Sequence, residues 1–216
     1  DFRRLVLETH DVSGIGGNKV GLDLALGYGL PRLVETTKSI NPNTVLIYDH
    51  QKGGTDIPDL GKNFANRCRS SGVDAVILFP QSGPATQEYW IKACQDVGLG
   101  VLVGGEMTHP KYKRSEGGYI SDDALDEIYL LAASFGVNNF VVPGNKPERV
   151  AHYRKLLQNV PELTFYAPGF VAQGGVITET GKVAGDSWHE IVGSAIYKAN
   201  NIREAAQKMT SQLFGW

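Results

Sequence analysis

The stretch TVLIYDHQKGGTDIPDLGKNFANRCRSSGVDAVILF, residues 44–79, decides how we interpret the fold. It holds two short apolar runs, residues 44–49 and 74–79, on either side of a helix-like segment at 59–71 that follows Pro58. Near-continuous apolar runs are typical of parallel strands that are buried on both faces. A strand, a helix and a second strand at this spacing make a βαβ unit, so the stretch predicts part of a parallel sheet covered by helices.

The same alternation continues in both directions along the chain. Further strands are predicted at 18–22, 100–107, 139–143, 164–168 and 190–194. Further helices are predicted at 2–12, 85–97, 122–135, 147–158 and 202–214. Because no linker or break in composition interrupts this pattern, we expect a single domain over residues 1–216.

Two closures of such a sheet compete, an open doubly wound sheet and a (β/α)8 TIM barrel. Seven predicted strands favour neither closure by their number. The first segment, FRRLVLETHDV, has the pattern of a helix with no strand before it, and the count becomes eight if the numbered chain begins after its first strand. Barrel chains typically have about 250 residues. We therefore expect an α/β protein with a (β/α)8 TIM barrel whose first strand is absent from the numbered chain.

Composition excludes several classes of function. The 216 residues are 42% hydrophobic, which is enough for one good core, and carry a formal net charge of -2. Without a basic excess, we expect no nucleic-acid partner and no anionic membrane partner. The apolar runs have the length of strands, so we expect no membrane span. Two cysteines, Cys68 and Cys94, lie in helix-like segments, and we expect free thiols in a reducing, cytoplasmic environment.

The predicted chemistry lies at the carboxyl ends of the strands, where ligands gather in both candidate folds. Asp49, His50, Lys52 and Asp56 follow the second strand within eight positions, and Lys19 belongs to the first strand region. A lysine close to carboxylates keeps its proton, so it is unsuited to be a Schiff-base nucleophile. It can deliver a proton to a carbanion or hold a network of sugar hydroxyls. The alternative is an ion pair at a strand end that does no chemistry.

Glycine-rich turns follow the last two predicted strands, at 167–175 and 192–197. Backbone N–H groups in such turns bind anions, and TIM barrels often hold a phosphate at this place. The position therefore predicts a phosphorylated small molecule as ligand. A dinucleotide or nucleoside triphosphate is disfavoured, because neither GxGxxG in the right context nor GxxxxGK[ST] is present.

Six segments together resemble the orotidine 5'-phosphate decarboxylases of the archaeal type. They are NKVGLDL, DHQKGGTDIPD, EMTHP, PGNKPERV, APGFVAQGG and IVGSAIYKANNIREAA, which follow the family's order and cover nearly the whole chain. The resemblance implies a (β/α)8 barrel that forms a homodimer with shared active sites. It also implies decarboxylation of orotidine monophosphate to UMP in pyrimidine synthesis, with no metal and no organic cofactor.

The resemblance assigns a catalytic role to three residues of the opening stretch. Asp49 corresponds to the aspartate set against the substrate carboxylate, and Lys52 to the lysine that stabilises and protonates the C6 carbanion. Asp56 corresponds to the aspartate that reaches into the neighbour's site. The substrate-binding residues that it implies are Lys19, Ile57, Thr108, Pro168, Gln173, Gly193 and Ser194.

The spacing within the opening stretch departs from the family pattern D-x-K-x-x-D, because each gap here is one residue longer. Side chains alternate along a strand, so Asp49 and Lys52 fall on opposite faces unless the strand bulges or has ended. Gly53 and Gly54 permit such a kink. The alternative register places His50 and Lys52 as the inward pair.

Two further departures concern the substrate. Ser194 stands where the family usually has an arginine for the phosphate, and Lys198 or Arg149 could compensate. Leu60 stands where a threonine near the ribose is common. Two alternatives therefore remain: a magnesium-dependent aldolase like 3-hexulose-6-phosphate synthase, and a non-enzymatic barrel that binds a phosphorylated ligand. Residues 110–119 are expected to form either a lid over the ligand or a solvated loop.

Overall fold

A computed structural model describes residues 1–170 and 176–213 of the chain. Seven parallel strands form one sheet in which each strand pairs with the next along the sequence, and the sheet curls into a nearly closed TIM-type barrel. The predicted fold class is therefore confirmed. The strands are β1 (Gly17–Gly21), β2 (Val45–Gly53), β3 (Ala75–Leu78), β4 (Gly100–Gly104), β5 (Asn139–Val141), β6 (Thr164–Pro168) and β7 (Trp188–Ile191).

Helices connect the strands and cover the outside of the barrel. In the described residues they are α1 (Phe2–Thr9), α2 (Leu22–Tyr28), α3 (Leu30–Lys38), α4 (Gly61–Ser71), α5 (Pro84–Asp96), α6 (Asp122–Ser134), α7 (Pro147–Leu156), α8 (Ile177–Ala184), α9 (Ser194–Tyr197) and α10 (Ile202–Ser211). Short 3-10 turns occur at Pro58–Leu60 and Arg114–Glu116. None of these helices has the length and apolar character needed to cross a membrane.

Side chains that alternate along the strands pack into two separate hydrophobic cores. Leu46, Val76 and Phe165 belong to the large core between the sheet and the helices. Ile77 and Leu102, from the opposite faces of their strands, belong to a smaller core inside the barrel. Because both faces of the central strands are buried, their sequences are apolar without alternation, which explains the pattern on which the prediction rested.

Several element boundaries differ from the prediction. β4 ends at Gly104 rather than 107, and β7 spans Trp188–Ile191 rather than 190–194. Helices α2, α3, α8 and α9 were not predicted. Gly29, which has a φ of 77°, separates α2 from α3, and Pro31 lies in the first turn of α3. These residues hide the helical period, because glycine and proline are poor helix formers inside a longer pattern.

Glu190 on β7 is a partly buried residue with one unpaired carboxyl oxygen. Its Oε1 atom is buried and has no hydrogen-bond partner among the described residues. The register aligns it with Ala167, which lies in the core under the helices. Burial raises the pKa of Glu190 to about 7.

We predict that Glu190→Gln removes a loss of stability that the wild-type protein shows as pH rises from 4.5 to about 7. A carboxyl whose folded pKa is raised destabilises the fold increasingly as pH rises from its unfolded pKa towards about 7. Above that range the variant should have a larger free energy of unfolding than wild type by about 2 kcal/mol, with partial exposure allowed for. Urea unfolding at several pH values measures this, and equal pH slopes for the two proteins would contradict it.

Candidate active site

A kink in β2 brings Asp49 and Lys52 to the same end of the barrel. Asp49 is aligned with Ile77 of β3, but the next aligned pair is Gly53 with Leu78, so residues 50–52 are extra on the β2 side. Lys52 has a left-handed φ of 72°. A non-glycine residue seldom adopts this conformation, which commonly marks functional sites. The bulge removes the conflict between the odd spacing and the alternation of the strand.

Asp49 ties the first two strands together at this end. Its Oδ2 accepts a hydrogen bond from Lys19 Nζ at 3.2 Å, and its Oδ1 accepts one from the backbone N–H of Lys52, also at 3.2 Å. Only 13% of the Asp49 side chain is exposed. The charge pair therefore has a lower effective dielectric constant than a surface ion pair, which strengthens it.

The amine of Lys52 faces the ring of Phe79, which directly follows β3. Its Nζ lies 4.2 Å from the centroid of that ring. Burial lowers the pKa of the Lys52 ammonium below its ordinary value, the charge of Asp49 opposes this, and the charge of Lys19 adds to it. Phe79 was not predicted to belong to the site, because in the sequence it has the pattern of the last residue of an apolar strand.

His50 lies on the other side of β2. Its Nδ1 and the Tyr48 hydroxyl are hydrogen-bonded, and its ring centroid is 5.9 Å from that of Phe64 on α4. Tyr48 belongs to the core under the helices. The structure therefore favours the register in which Asp49 points to the barrel mouth over the one that places His50 there.

Asp56 and Ile57 are exposed, and 58% of the Ile57 surface is accessible. Their backbone is nevertheless fixed. The Asp56 carbonyl accepts from the Thr86 hydroxyl at 2.9 Å, and the Ile57 carbonyl accepts from Trp90 Nε1 at 3.0 Å. Within the described parts of this single chain, no ion pair joins Asp56 to Lys52.

Thr108 lies where the connections after three neighbouring strands meet. Its carbonyl accepts from Asn145 Nδ2 at 3.0 Å. Its Cγ2 is close to Gly169, where an added Cβ would be 3.0 Å away. The carbonyl of Pro168 accepts from the Gly144 N–H at 2.8 Å, which ties β6 to this junction. Gln173 lies outside the described residues.

The buried carboxylate of Glu106 lies next to the junction around Thr108 and binds residues that follow β5. The Glu106 side chain is fully buried and accepts from the Tyr153 hydroxyl at 2.6 Å, Arg149 Nε at 2.7 Å and Lys146 Nζ at 3.1 Å. Burial by itself would raise the pKa of Glu106, but the hydrogen bonds from Tyr153, Arg149 and Lys146 outweigh it and hold the pKa below its usual value. Arg149, one of the two residues suggested to replace the missing phosphate arginine, has its guanidinium bound to Glu106 and Tyr153.

The loop at 110–119 is folded onto the same network. Tyr112 is buried, and its hydroxyl donates to the Gly105 carbonyl at 2.8 Å. Glu116 pairs with Lys113 and Lys146, each at 3.5 Å. These contacts anchor the loop at Tyr112 and Glu116, whereas Arg114, Ser115 and Tyr119 are exposed.

A cavity of about 290 Å³ between β1 and the segment after β7 brings two more predicted residues together. Lys19 lines it from one side, and Gly193 and Tyr197 line it from the other. Ser194 begins the short helix α9, and Lys198 is exposed at the end of that helix. Among the described residues, no group of three or more His, Cys, Asp and Glu side chains is arranged to hold a metal ion.

The fold and the charged groups at the ends of β1 and β2 define a TIM-barrel protein with its candidate site at the carboxyl ends of the strands. The model of the orotidine 5'-phosphate decarboxylase / HUMPS family matches residues 11–209, and the chain belongs to this family.

Individual relatives agree with this assignment. The chain is 33% identical to an orotidine 5'-phosphate decarboxylase of Methanosarcina barkeri over 195 residues, which cover 90% of this chain and 81% of the relative. The crystal structure of orotidine 5'-phosphate decarboxylase from Pyrococcus horikoshii is 27% identical, with a TM-score of 0.80 over 99% of this chain and 93% of that one. The inhibitor-bound enzyme of Methanocaldococcus jannaschii, at 24% identity, has a TM-score of 0.84 over 98% and 91% of the two chains and shares the fold.

We predict that Glu106→Gln lowers the free energy of unfolding at neutral pH by about 3 kcal/mol, because the cations of Lys113, Lys146 and Arg149 lose a buried counter-charge. The folded pKa of Glu106 is lowered from 4.5, so its contribution is present above that value and is lost as pH falls through the folded pKa. Urea unfolding at neutral pH and at values below 4.5 measures both effects.

Glu88→Gln is the matched control, because Glu88 forms an exposed pair with Lys92 on α5. Its loss should change the free energy of unfolding by less than about 1 kcal/mol. A difference between wild type and Glu106→Gln that stays constant at every pH would show that the charge of Glu106 is not what stabilises the fold.

Proposed function

We propose that this protein is a carboxy-lyase that converts orotidine 5'-monophosphate to UMP in pyrimidine synthesis. The observation that carries the proposal is the array of Lys19, Asp49 and Lys52 at the barrel mouth, in a chain that belongs to this family. The kink in β2 supports it, because it gives the lengthened motif the same-side arrangement that the chemistry needs.

Lys52 is the proposed proton donor. Loss of carbon dioxide leaves a strongly basic carbanion at C6 of the pyrimidine. An ammonium fixed beside that carbon stabilises the developing negative charge more than it stabilises the bound substrate, which is the requirement for acceleration. The N–H bond of the ammonium then breaks as a new C–H bond forms at C6, so Lys52 ends neutral and regains a proton from solvent.

Asp49 has two proposed roles. Its carboxylate attracts the charges of Lys19 and Lys52, and so keeps both cations at the mouth. It also lies against the carboxylate that leaves, and the repulsion between the two anions is relieved in the transition state. Lys19 is proposed to bind the ribose.

The rest of the nucleotide is assigned to the neighbouring turns. Thr108 is proposed to contact the pyrimidine, with Pro168 and Gln173 in the adjoining connection. Gly193 and Ser194 are proposed to hold the phosphate, since Gly193 lines the same cavity as Lys19. The phosphate is remote from the bond that breaks, so its binding energy is available to order the site.

A homodimer is part of the proposal. Asp56 and Ile57 are exposed on a backbone that α5 holds in place, which suits side chains that serve a neighbouring subunit. Asp56 would supply a second carboxylate to the partner's Lys52, and Ile57 would lie against the partner's substrate. A cytoplasmic location is also proposed, in keeping with the free, buried thiols of Cys68 and Cys94.

We predict that the protein consumes orotidine monophosphate, measured by its ultraviolet absorbance, at the same rate with and without EDTA. Lys52→Ala should lower kcat by at least about a thousandfold, because the proton donor and the stabilising charge are lost together. Lys62→Ala, at an exposed lysine of α4, is the control and should keep full activity.

Each alternative has its own outcome in this assay. Turnover of a sugar phosphate that requires magnesium and stops in EDTA would favour the aldolase. Failure to bind a UMP analogue or to turn over either substrate would favour a non-enzymatic barrel. A tenth of the wild-type rate in Lys52→Ala would remove this residue from the mechanism.

A mixing experiment tests the shared site. Lys52→Ala and Asp56→Asn homodimers should each be nearly inactive, because every site lacks one of the two groups. Mixed dimers contain one site with both groups intact, so unfolding the two variants together and refolding them should recover about a quarter of the wild-type rate. If no activity returns although mixed dimers form, the two groups do not meet across an interface.

A further inference from the structure

The Lys52 ammonium is held without a direct carboxylate partner in the part of the chain that the structure describes. The Asp49 oxygens are used by Lys19 Nζ and by the backbone N–H of Lys52, not by the Lys52 amine. No hydrogen bond or ion pair of Lys52 Nζ is found there. A half-buried charge is costly without compensation, so a group of the same chain that contacts this ammonium helps to stabilise it, beside the carboxylate that Asp56 would supply across the proposed dimer.

The ring of Phe79 is that group in the described structure. Its centroid lies 4.2 Å from Lys52 Nζ, well within the range of about 6 Å over which a cation is attracted to the negative face of an aromatic ring. Phe79 is only 1% exposed, so little solvent competes for the contact. The ring belongs to the core inside the barrel, together with Ile77 and Leu102.

The position of the ring is fixed by two backbone features. The Phe79 N–H donates to the carbonyl of Gly53 at 2.7 Å, so the residue that carries the ring is tied to the residue after Lys52. On the other side, a Cβ added to Gly104 would lie 2.1 Å from ring atoms Cε2 and Cζ. The ring therefore occupies space that is open only because residue 104 is glycine.

We propose that Phe79 is a positioning residue for the proton transfer: its ring holds the Lys52 ammonium by a cation–π interaction and directs it toward the barrel mouth. This inference rests on the proposed function only in taking Lys52 as the proton donor. Asp49 and Phe79 then act on the amine from different directions, one by charge and one by its π face. Weakening the ring's negative face favours the neutral amine, so it lowers both the fraction of active enzyme at alkaline pH and the rate.

The test replaces Phe79 with phenylalanine analogues that carry one, two and three ring fluorines, introduced at this position alone. Fluorine withdraws electron density from the ring face in steps and changes the ring shape little. We expect kcat to fall stepwise, by about tenfold for the trifluoro ring, with KM nearly unchanged. The alkaline limb of the pH–rate profile should move to lower pH by about one unit.

The same analogues at Phe140 provide the control, because Phe140 is fully buried in the core under the helices. They should give no trend in kcat. A trend of equal size at both positions, or no trend at Phe79 in an enzyme that decarboxylates normally, would overturn the proposal.

A second measurement separates this proposal from the proposed function. The pKa of the Lys52 amine can be followed in the unliganded protein by nitrogen NMR, with Lys52→Ala to assign the signal. A pKa that falls as fluorines are added supports the contact, and a constant pKa overturns it. If the wild-type protein does not decarboxylate orotidine monophosphate, the proposed function fails, whereas this titration still decides whether Phe79 holds the ammonium.

Discussion

The carboxylate of Asp49 is the contact on which the barrel mouth depends. One oxygen receives the amine of Lys19 from β1, and the other receives the backbone N–H of Lys52 from beyond the kink in its own strand. The second of these bonds opposes the unfavourable left-handed backbone of Lys52, a conformation that costs about 1–2 kcal/mol for a residue with a side chain. A single carboxylate thus fixes a strand pair, a strained turn and the amine of Lys19.

The barrel fold could be predicted from the sequence because a strand that is buried on both faces has a continuous apolar run. The apolar runs around Leu46, Ile77 and Leu102 are continuous because successive residues face the helices and the barrel interior in turn, and both sides are buried. Helices α2 and α3 escaped prediction because Gly29 and Pro31 break the helical period while tertiary packing keeps the helices in place.

The site is less accessible to such reasoning than the fold. The lengthened spacing between Asp49 and Lys52 indicates that some irregularity is needed, but the size of a bulge depends on its pairing with β3, which one strand's sequence does not contain. Phe79 and Glu106 were missed for a similar reason. The importance of each arises from partners distant in sequence, Lys52 for the ring and Arg149, Tyr153 and Lys146 for the carboxylate.

The glycine at position 104 has a consequence for redesign of this barrel. The ring of Phe79 fills the space that a side chain at position 104 on β4 would need. The residues allowed at positions 79 and 104 therefore depend on each other. Making room inside the barrel for a bulkier ligand requires a smaller residue at position 79. Only with such a residue can position 104 carry a side chain. Combinatorial libraries that randomise position 104 alone should return mainly glycine, whereas libraries that vary positions 79 and 104 together have access to new pocket geometries.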